Sequence, residues 1–182
     1  VIQLPKEDSI VSAIPVTNFE EPGKSLVFVT RKGQVKRTEL KDYVTKRSGA
    51  VAAAKVAADD SVIQVVMSDG TKDIVLISKD GMSIRFKEQE VNPMGRVSGG
   101  VRGIQLREGD EVVSALWVEE DEGEILTITD LGYGKRSLLI DYPVQSRGGK
   151  GIATFEFKEG KRVKPNGSII AGAFYCREPI DI

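Results

Sequence analysis

Arginine and lysine recur at fixed distances from glycine along this chain, and that combination is suited to binding phosphate groups. The densest example is Gln145–Gly151, in which Arg147 and Lys150 flank Gly148 and Gly149. Cationic side chains attract phosphates, and glycines let backbone N–H groups approach them closely. The net charge of the 182 residues is −1, yet each glycine-rich segment is net positive. The sequence therefore predicts a positive edge on an acidic body.

Enzymatic chemistry finds little support in the composition. The chain has no histidine and one cysteine, which excludes His-based catalytic triads, His-containing metal motifs and an internal disulfide. It contains no phosphate-binding P-loop, complete dinucleotide fingerprint or nucleophile elbow. We therefore predict no catalytic site, cofactor or metal in this segment. No apolar run approaches the roughly 18 residues of a membrane span, and we expect a cytoplasmic protein with no membrane partner.

The basic residues belong to a unit that repeats about every 50 residues. Each copy has a short β-rich run and then a glycine, at Gly33, Gly81 and Gly132, with spacings of 48 and 51 residues. Four residues after each glycine stands an arginine, namely Arg37, Arg85 and Arg136. Self-similarity at this period is typical of propellers and other repeat arrays. Four short strands in each unit describe one propeller blade.

Three complete units predict one blade each, at 25–72, 73–123 and 124–177. Residues 1–24 are expected to form the end of a preceding blade and a linker, because 1–16 and 103–118 are identical at eight of sixteen positions. Residues 178–182 are interpreted as the start of another blade. The predicted fold is all-β, a single repeat domain forming an arc of about three full blades plus a half blade.

Local propensity and the repeat disagree at Ser48–Val56. The run of alanines favours a helix, whereas the alignment with Ser98–Leu106 favours a strand, and we predict the strand. We also predict a strand at Phe155–Phe157.

Four phrases of the sequence resemble the C-terminal domain of DNA gyrase A subunits, and the corresponding topoisomerase IV domain is somewhat less similar. They are TRKGQVKRTEL, SKDGMSIRF, MGRVSGGVRGIQL and DLGYGKRSLLIDYPVQSRGGKG. The resemblance covers all three units and implies a β-pinwheel, a propeller-like disc whose blades exchange a strand with their neighbours. It also implies a basic perimeter that wraps double-stranded DNA, without catalysis in this segment.

The same resemblance implies a larger assembly. The rest of the gyrase A subunit, together with the gyrase B subunit, would be partners in a nucleoid-associated type II topoisomerase that uses ATP and Mg to introduce negative supercoils. The family's hallmark box, Gln-Arg-Arg-Gly-Gly-Lys-Gly, is matched by Gln145–Gly151 at six of seven positions, with Ser146 in place of an arginine. We interpret this copy as a later-blade version and expect the intact box upstream of Val1.

The predicted DNA contacts are the cations and glycines of the turns and loops. They are Arg31, Lys32, Lys36, Arg37, Lys46, Arg47, Lys79, Arg85, Arg96, Arg102, Lys135, Arg136, Arg147, Gly148, Gly149 and Lys150. Ion pairs between blades are the alternative for the repeated arginines, and loop geometry is the alternative for the glycines. The competing function is a β-propeller protein-interaction module, which the period permits but which has no need of a basic edge.

Overall fold

The computed structural model describes residues 9–46, 49–119, 121–158, 160 and 164–177. These residues form eleven strands and three 3₁₀ turns, and the predicted all-β fold is confirmed. The strands are β1 Ser25–Thr30, β2 Gln34–Glu39, β3 Val62–Ser68, β4 Asp73–Ser78, β5 Met82–Lys87, β6 Val101–Arg102, β7 Val112–Val118, β8 Glu124–Thr129, β9 Gly134–Leu138, β10 Ile152–Ala153 and β11 Ile170–Cys176. The 3₁₀ turns are Leu40–Tyr43, Glu88–Glu90 and Leu139–Asp141.

The strands form three antiparallel sheets, one for each repeat. Their strand orders are β3-β1-β2-β6, β10-β5-β4-β7 and β11-β8-β9. Each sheet is built on one hairpin, and the three hairpins turn at Gly33, Gly81 and Gly132. The φ angles of these glycines lie between 77° and 79°. A residue with a Cβ atom is strained at such angles, which explains why glycine recurs there.

The outermost strand of a blade comes from the following repeat. β6 belongs to the second repeat but pairs with β2 of the first blade, with Val101 opposite Val35. β10 belongs to the third repeat and pairs with β5 of the second blade, with Ile152 opposite Ser83. This is the strand exchange that the resemblance implied.

The opposite edges of the three sheets meet near the centre of the arc. β7 packs against both β3 and β11, and the amide of Ala173 in β11 donates a hydrogen bond to Ser114 Oγ in β7 over 2.9 Å. β6 and β10 therefore lie on the outer edge. The glycine loops that precede them, 94–100 and 145–151, lie on that edge too.

Two hydrophobic cores fill the joints between neighbouring blades. β4 is buried along its whole length, because it lies between the first and third blades and contributes to both cores. Ile74 and Leu76 pack into the first core, whereas Val75 and Ile77 pack into the second. Successive side chains of a strand point to opposite faces, so a continuous apolar run is what this position requires.

Two predicted strands are wrong. Of the predicted Ser48–Val56 strand, residues 49–56 are neither strand nor helix, and Ser48 lies outside the described residues. The equivalent β6 and β10 each pair with the hairpin of a preceding blade, and residues 9–24, the described chain before β1, contain no strand. Phe155–Phe157 is also not a strand. The amides of Thr154 and Phe155 both bond to Gly81 O, at 2.8 and 3.3 Å, so the backbone curls round that turn and leaves the sheet.

The predicted preceding half blade is only partly open to comparison. Residues 1–8, together with 178–182, lie outside the described residues, and 9–24 contain no strand. β3 and β7 form by pairing with the first strand of their own repeat, and the described residues before 25 offer no such strand. No helix in the part of the chain that the structure describes has the length and apolarity of a membrane span.

Candidate nucleic-acid interface

The structure distributes the predicted cations over three environments: the hairpin turns, the joints between blades and the outer edge. The hairpin-turn cations are largely engaged by neighbouring groups. Arg31 lies 3.7 Å from a Glu111 carboxylate oxygen, and Lys79 Nζ donates to Gly109 O over 2.8 Å. Lys32 pairs with Asp59, and this hydrogen bond holds the pKa of Asp59 below its usual range. Nearby carboxylates therefore offset much of the positive charge at the first turn.

Arg85 lies in the joint between the second and third blades and is only 3% exposed. Its Nε donates to Asp73 over 2.8 Å and its guanidinium to Asp121 over 2.8 Å. It also reaches the carbonyls of Leu139 and Tyr142 at 3.5 and 3.3 Å. A guanidinium held in this way cannot reach a phosphate. The burial and contacts of Arg85 therefore favour the inter-blade alternative over the predicted DNA contact.

The two equivalent arginines complete the comparison. Arg37 is half-buried and faces the first joint, where its Nε has no hydrogen-bond partner in the described residues. Arg136 pairs with Glu124 over 2.6 Å, and its side chain is 59% exposed. All three arginines hold the same position on β2, β5 or β9, opposite Val27, Val75 or Leu126. They form one structural series, of which Arg37 and Arg85 lie at the two joints and Arg136 is exposed.

A buried carboxyl group marks the first joint. Glu88 is 0% exposed and occupies the position of Leu40 and Leu139 in the other repeats. Ser68 Oγ donates to one of its oxygens over 2.7 Å, and the other has no partner in the described residues. Loss of hydration raises the pKa of Glu88, against the hydrogen bond from Ser68 and the attraction of Arg37, which lower it.

Lys36 is a predicted DNA contact, but it is only 3% exposed. Its ammonium group donates to the carbonyls of Ala53 and Arg96 and lies 5.3 Å from the centre of the Phe28 ring. Burial lowers its pKa, and the nearby Arg96 adds to that effect. Lys36 therefore ties residues 49–57, part of the linker between the first hairpin and β3, to its blade. The equivalent Lys135 makes the matching bond to Thr154 O over 3.0 Å but stays exposed.

The box-like loop joins the third repeat to the second. Arg147 Nε donates to Glu90 O over 3.0 Å and its guanidinium to Arg102 O over 3.1 Å. Its backbone amide bonds to the Glu90 carboxylate at 3.1 Å. Gly148 N donates to Gly103 O over 2.6 Å. These contacts fix the loop on the preceding repeat, so the Arg147 side chain serves the loop's structure.

Arg96 repeats this arrangement one blade earlier. Its guanidinium donates to Ala52 O over 2.5 Å, and Ala52 is the residue equivalent to Arg102. A backbone bond from Lys55 N to Ser98 O at 3.2 Å accompanies it, as the bond from Gln105 N to Gly149 O at 2.8 Å accompanies Arg147. The arginine of each glycine loop thus fastens that loop to the preceding linker.

The structure places the Arg102 side chain against Gly148 of the box-like loop on the outer edge. A Cβ atom on Gly148 would lie 3.6 Å from Arg102 Nε, so the Arg102 side chain extends over this glycine. Arg102 and Lys150 are both exposed, and so is Lys46 beyond the first hairpin. Arg47 lies outside the described residues.

Backbone geometry alone requires glycine at one or more positions of the box-like loop, 145–151. Gly151 has φ +72°, and a Cβ atom there would lie 2.0 Å from Ser83 O, within the β5–β10 pairing. We expect Gly151→Ala to lower the free energy of unfolding by more than the roughly 1–2 kcal/mol that a left-handed residue costs, as urea denaturation would measure. Gly99→Ala is the control, since nothing lies within 4 Å of its Cβ position. Equal stabilities would contradict the geometric role.

Sequence reasoning missed two exposed cations, Lys55 and Arg107. They line equivalent grooves, one between 54–57 and the glycines at 99–100, the other between 104–107 and the loop at 150–151. The signal was present, because both residues stand just before the aspartate turns of their repeats. The two cations were overlooked because the segments that contain them were interpreted as inner strands.

The outer-edge segments carry charge of one sign only. Residues 49–57, 94–107 and 145–153 contain no aspartate or glutamate. Their charged residues are Lys55, Arg96, Arg102, Arg107, Arg147 and Lys150. Four of these, without Arg96 and Arg147, are exposed, which makes the outer edge the best candidate for an anionic partner.

Comparison with known proteins agrees with this architecture. A family model described as DNA gyrase C-terminal domain, beta-propeller, matches residues 24–69, 72–117 and 123–171. The DNA gyrase A subunit of Escherichia coli (strain K12) is 39% identical over 159 residues, which are 87% of this chain and 18% of that protein. The same subunit of Staphylococcus epidermidis is 37% identical over 170 residues, or 93% and 18%. The chain thus spans less than a fifth of these relatives.

Solved structures share the fold. The crystal structure of the C-terminal domain of DNA topoisomerase IV superposes with a TM-score of 0.87 at 31% identity, covering 96% of this chain and 53% of that one. The DNA gyrase A C-terminal domain has a TM-score of 0.78 at 24% identity, covering 96% and 56%, and this second likeness concerns the fold alone. With a family match on every repeat and strand exchange in the sheets, the chain belongs to the DNA gyrase C-terminal domain family.

Proposed function

We propose that this domain binds double-stranded DNA along its outer edge and bends it round the arc. The observation that carries the proposal is the sign of the charge there: the three outer segments hold cations and no carboxylate. Neutralising phosphates releases counterions, and this supplies affinity that does not depend on base sequence. A series of cations along a curve also favours bent over straight DNA, which offsets a bending cost of about 1–6 kcal/mol.

The exposed and the engaged cations are assigned different roles. Lys55, Arg102, Arg107 and Lys150 contact phosphates, because they are exposed and no ion pair is found for them in the described residues. Arg96 and Arg147 position the loops through carbonyl bonds. Because Gly148 has no side chain, the Arg102 side chain can extend across the loop. A single phosphate site is therefore formed by residues of two successive repeats.

The salt dependence of DNA binding tests these roles. For a duplex of about 40 base pairs, we expect log K to fall linearly with log salt concentration, by about 0.9 for each phosphate neutralised. The double variant Arg102→Ala, Lys150→Ala removes two contacts and should reduce the slope by about 2. Fluorescence anisotropy between about 50 and 300 mM salt would measure it.

A matched control uses two cations of the first hairpin turn. Arg31→Ala with Lys32→Ala removes the same formal charge, but from residues that already lie beside Glu111 and Asp59. We expect its slope to stay within about 0.5 of the unmodified protein, since neutralised cations release few counterions from DNA. A larger change in the hairpin variant than in the outer-edge variant would place the interface elsewhere.

We further propose the wider setting that its relatives suggest. The domain would support negative supercoiling in the cytoplasm, close to the nucleoid, as part of a type II topoisomerase. The remainder of the gyrase A subunit, together with the gyrase B subunit, would supply strand cleavage and ATP hydrolysis with Mg, outside this segment. The handedness of the DNA wrap is testable. A plasmid relaxed by a nicking-closing enzyme in the presence of the domain should differ in linking number from one relaxed without it, and no difference would argue against wrapping.

A further inference from the structure

One carboxylate lies against the outer edge, although the outer-edge segments themselves contain none. Glu90 belongs to the 3₁₀ turn Glu88–Glu90 of the second repeat and is half-buried. One of its carboxylate oxygens accepts a hydrogen bond from Arg147 N of the box-like loop over 3.1 Å. A negative charge beside a surface that binds phosphates lowers the affinity for them through repulsion. Electrostatics alone therefore does not explain an acid at this position.

The turn that carries Glu90 is anchored in the first core. Val91 N donates to Glu88 O over 2.9 Å and closes the turn. The Val91 side chain belongs to the first core, and the Glu88 side chain is buried as well. The Glu90 carboxylate is thus held by a part of the second repeat that is fixed on both sides.

Backbone hydrogen bonds attach the box-like loop to the second repeat. They run from Gln145 N to Arg85 O at 2.8 Å, from Gly148 N to Gly103 O at 2.6 Å and from Gln105 N to Gly149 O at 2.8 Å. The bond from Arg147 N differs from these because its acceptor is the side chain of Glu90. A substitution at Glu90 therefore removes one attachment of the loop and leaves the backbone bonds intact.

An acid stands at the same position of the 3₁₀ turn in each repeat, namely Asp42, Glu90 and Asp141. The Asp42 side chain is one methylene shorter than that of Glu90. In the described residues no hydrogen bond joins Asp42 to Arg96 N, the amide equivalent to Arg147 N. The reach of the glutamate, as well as its charge, thus distinguishes the box-like loop from the loop at 94–100.

We propose that Glu90 is a positioning residue for DNA binding, whose carboxylate fixes the backbone of the box-like loop at Arg147. The consecutive amides of Arg147 and Gly148 bond to Glu90 and to Gly103 O. They keep Gly148, with φ +80°, beneath the Arg102 side chain, whose Nε lies 3.6 Å from the Cβ position of that glycine. Glu90 thereby sets the place of a phosphate contact, and this inference rests on the proposed function.

Electrostatics and positioning predict different results for two variants of equal charge. Glu90→Gln and Glu90→Ala both remove one negative charge, but only glutamine keeps an acceptor for Arg147 N. Reduced repulsion alone would raise the DNA affinity of both variants by the same factor. Because Glu90 positions the loop, we expect Glu90→Ala to bind DNA about threefold to tenfold more weakly than Glu90→Gln, the factor that corresponds to one net hydrogen bond.

Glu90→Asp gives a second matched pair, since it keeps the charge of the unmodified protein but shortens the side chain by one methylene. It should bind DNA more weakly than the unmodified protein by a similar factor. Asp42→Ala is the control, because it removes an acid from the equivalent position without removing a bond to Arg96 N. Its dissociation constant should not exceed that of the unmodified protein. Fluorescence anisotropy with the duplex of the salt titration would measure all four variants.

Hydrogen exchange of the Arg147 amide measures the contact in the absence of DNA. By NMR, we expect this amide to exchange about tenfold faster in Glu90→Ala and Glu90→Asp than in Glu90→Gln, because the first two lose the acceptor. The Gln145 amide, which bonds to Arg85 O, should change less. Equal exchange of the Arg147 amide in the three variants would overturn the positioning role.

The DNA measurements separate this inference from the proposed function. Equal dissociation constants for Glu90→Ala and Glu90→Gln would overturn the inference alone, provided that the double variant Arg102→Ala, Lys150→Ala still shows its reduced salt slope. An unchanged salt slope in that double variant would overturn the proposed function and this inference with it, even where exchange of the Arg147 amide responds to Glu90.

Discussion

Replacing Arg85 with alanine should lower the free energy of unfolding by about 3–5 kcal/mol, the usual cost of breaking a buried ion pair by removing one partner. Asp73 is 3% exposed and, among the described residues, would keep the ammonium group of Lys87 at 2.8 Å as its cationic partner. The carbonyls of Leu139 and Tyr142 would lose their donor at the same time. Urea denaturation at neutral pH would measure the loss.

The third blade supplies the control for that experiment. Arg136 holds the equivalent position and pairs with Glu124, but its side chain is 59% exposed. Exposed ion pairs contribute roughly 0–1 kcal/mol, so Arg136→Ala should change stability by less than about 1 kcal/mol. Similar losses in both variants would mean that burial of the joint does not govern the contribution of this arginine.

Glu88→Leu should stabilise the protein by about 1–4 kcal/mol near neutral pH, the gain seen when buried charged groups give way to apolar ones. Leucine already occupies the equivalent positions, Leu40 and Leu139, in the same 3₁₀ turn and in buried surroundings. Nothing in the turn geometry therefore opposes the replacement. Thermal or urea unfolding of the two proteins would measure the difference.

The pH dependence of that gain follows from the pKa of Glu88. Burial raises it above the ordinary value of 4.5, so the folded state binds this proton more tightly than the unfolded state. The stability linked to protonation is present below about pH 4.5 and is lost as pH rises through the folded pKa. The advantage of Glu88→Leu should therefore be largest at neutral pH and shrink in acid.

Glu88→Gln separates charge from shape, since it keeps an acceptor for Ser68 but cannot ionise. We expect it to lose the pH dependence while gaining less stability than leucine. An advantage of Glu88→Leu that stayed constant between about pH 4.5 and neutral pH would show that Glu88 is not ionised differently in the folded state.

The repeat was readable from the sequence because the fold imposes it on the chain. A hairpin that needs positive φ places glycine at Gly33, Gly81 and Gly132, and β4 needs apolar residues on both faces. These local requirements leave a periodic pattern. The all-β fold and the family could be predicted for that reason.

The roles of the individual cations could not be predicted in the same way. Arg37, Arg85 and Arg136 are identical in spacing, and only the packing of the next blade decides which of them is buried. The same holds for Lys36 and Lys135, which make one bond in common but differ in exposure. Periodicity reports a position within a blade, whereas burial depends on what lies across the joint.

Strand exchange also bears on how a protein of this kind can change length. The second repeat gives β6 to the first blade, and the third repeat gives β10 to the second blade. Gene duplication or deletion of a whole unit therefore leaves every internal blade with four strands. A deletion whose ends coincide with the first and last strands of one sheet would cut into the next repeat. It would leave one blade without its outer strand, and another outer strand without a hairpin to pair with. Blade number can thus vary over evolution only in steps that follow the repeat and not the sheet.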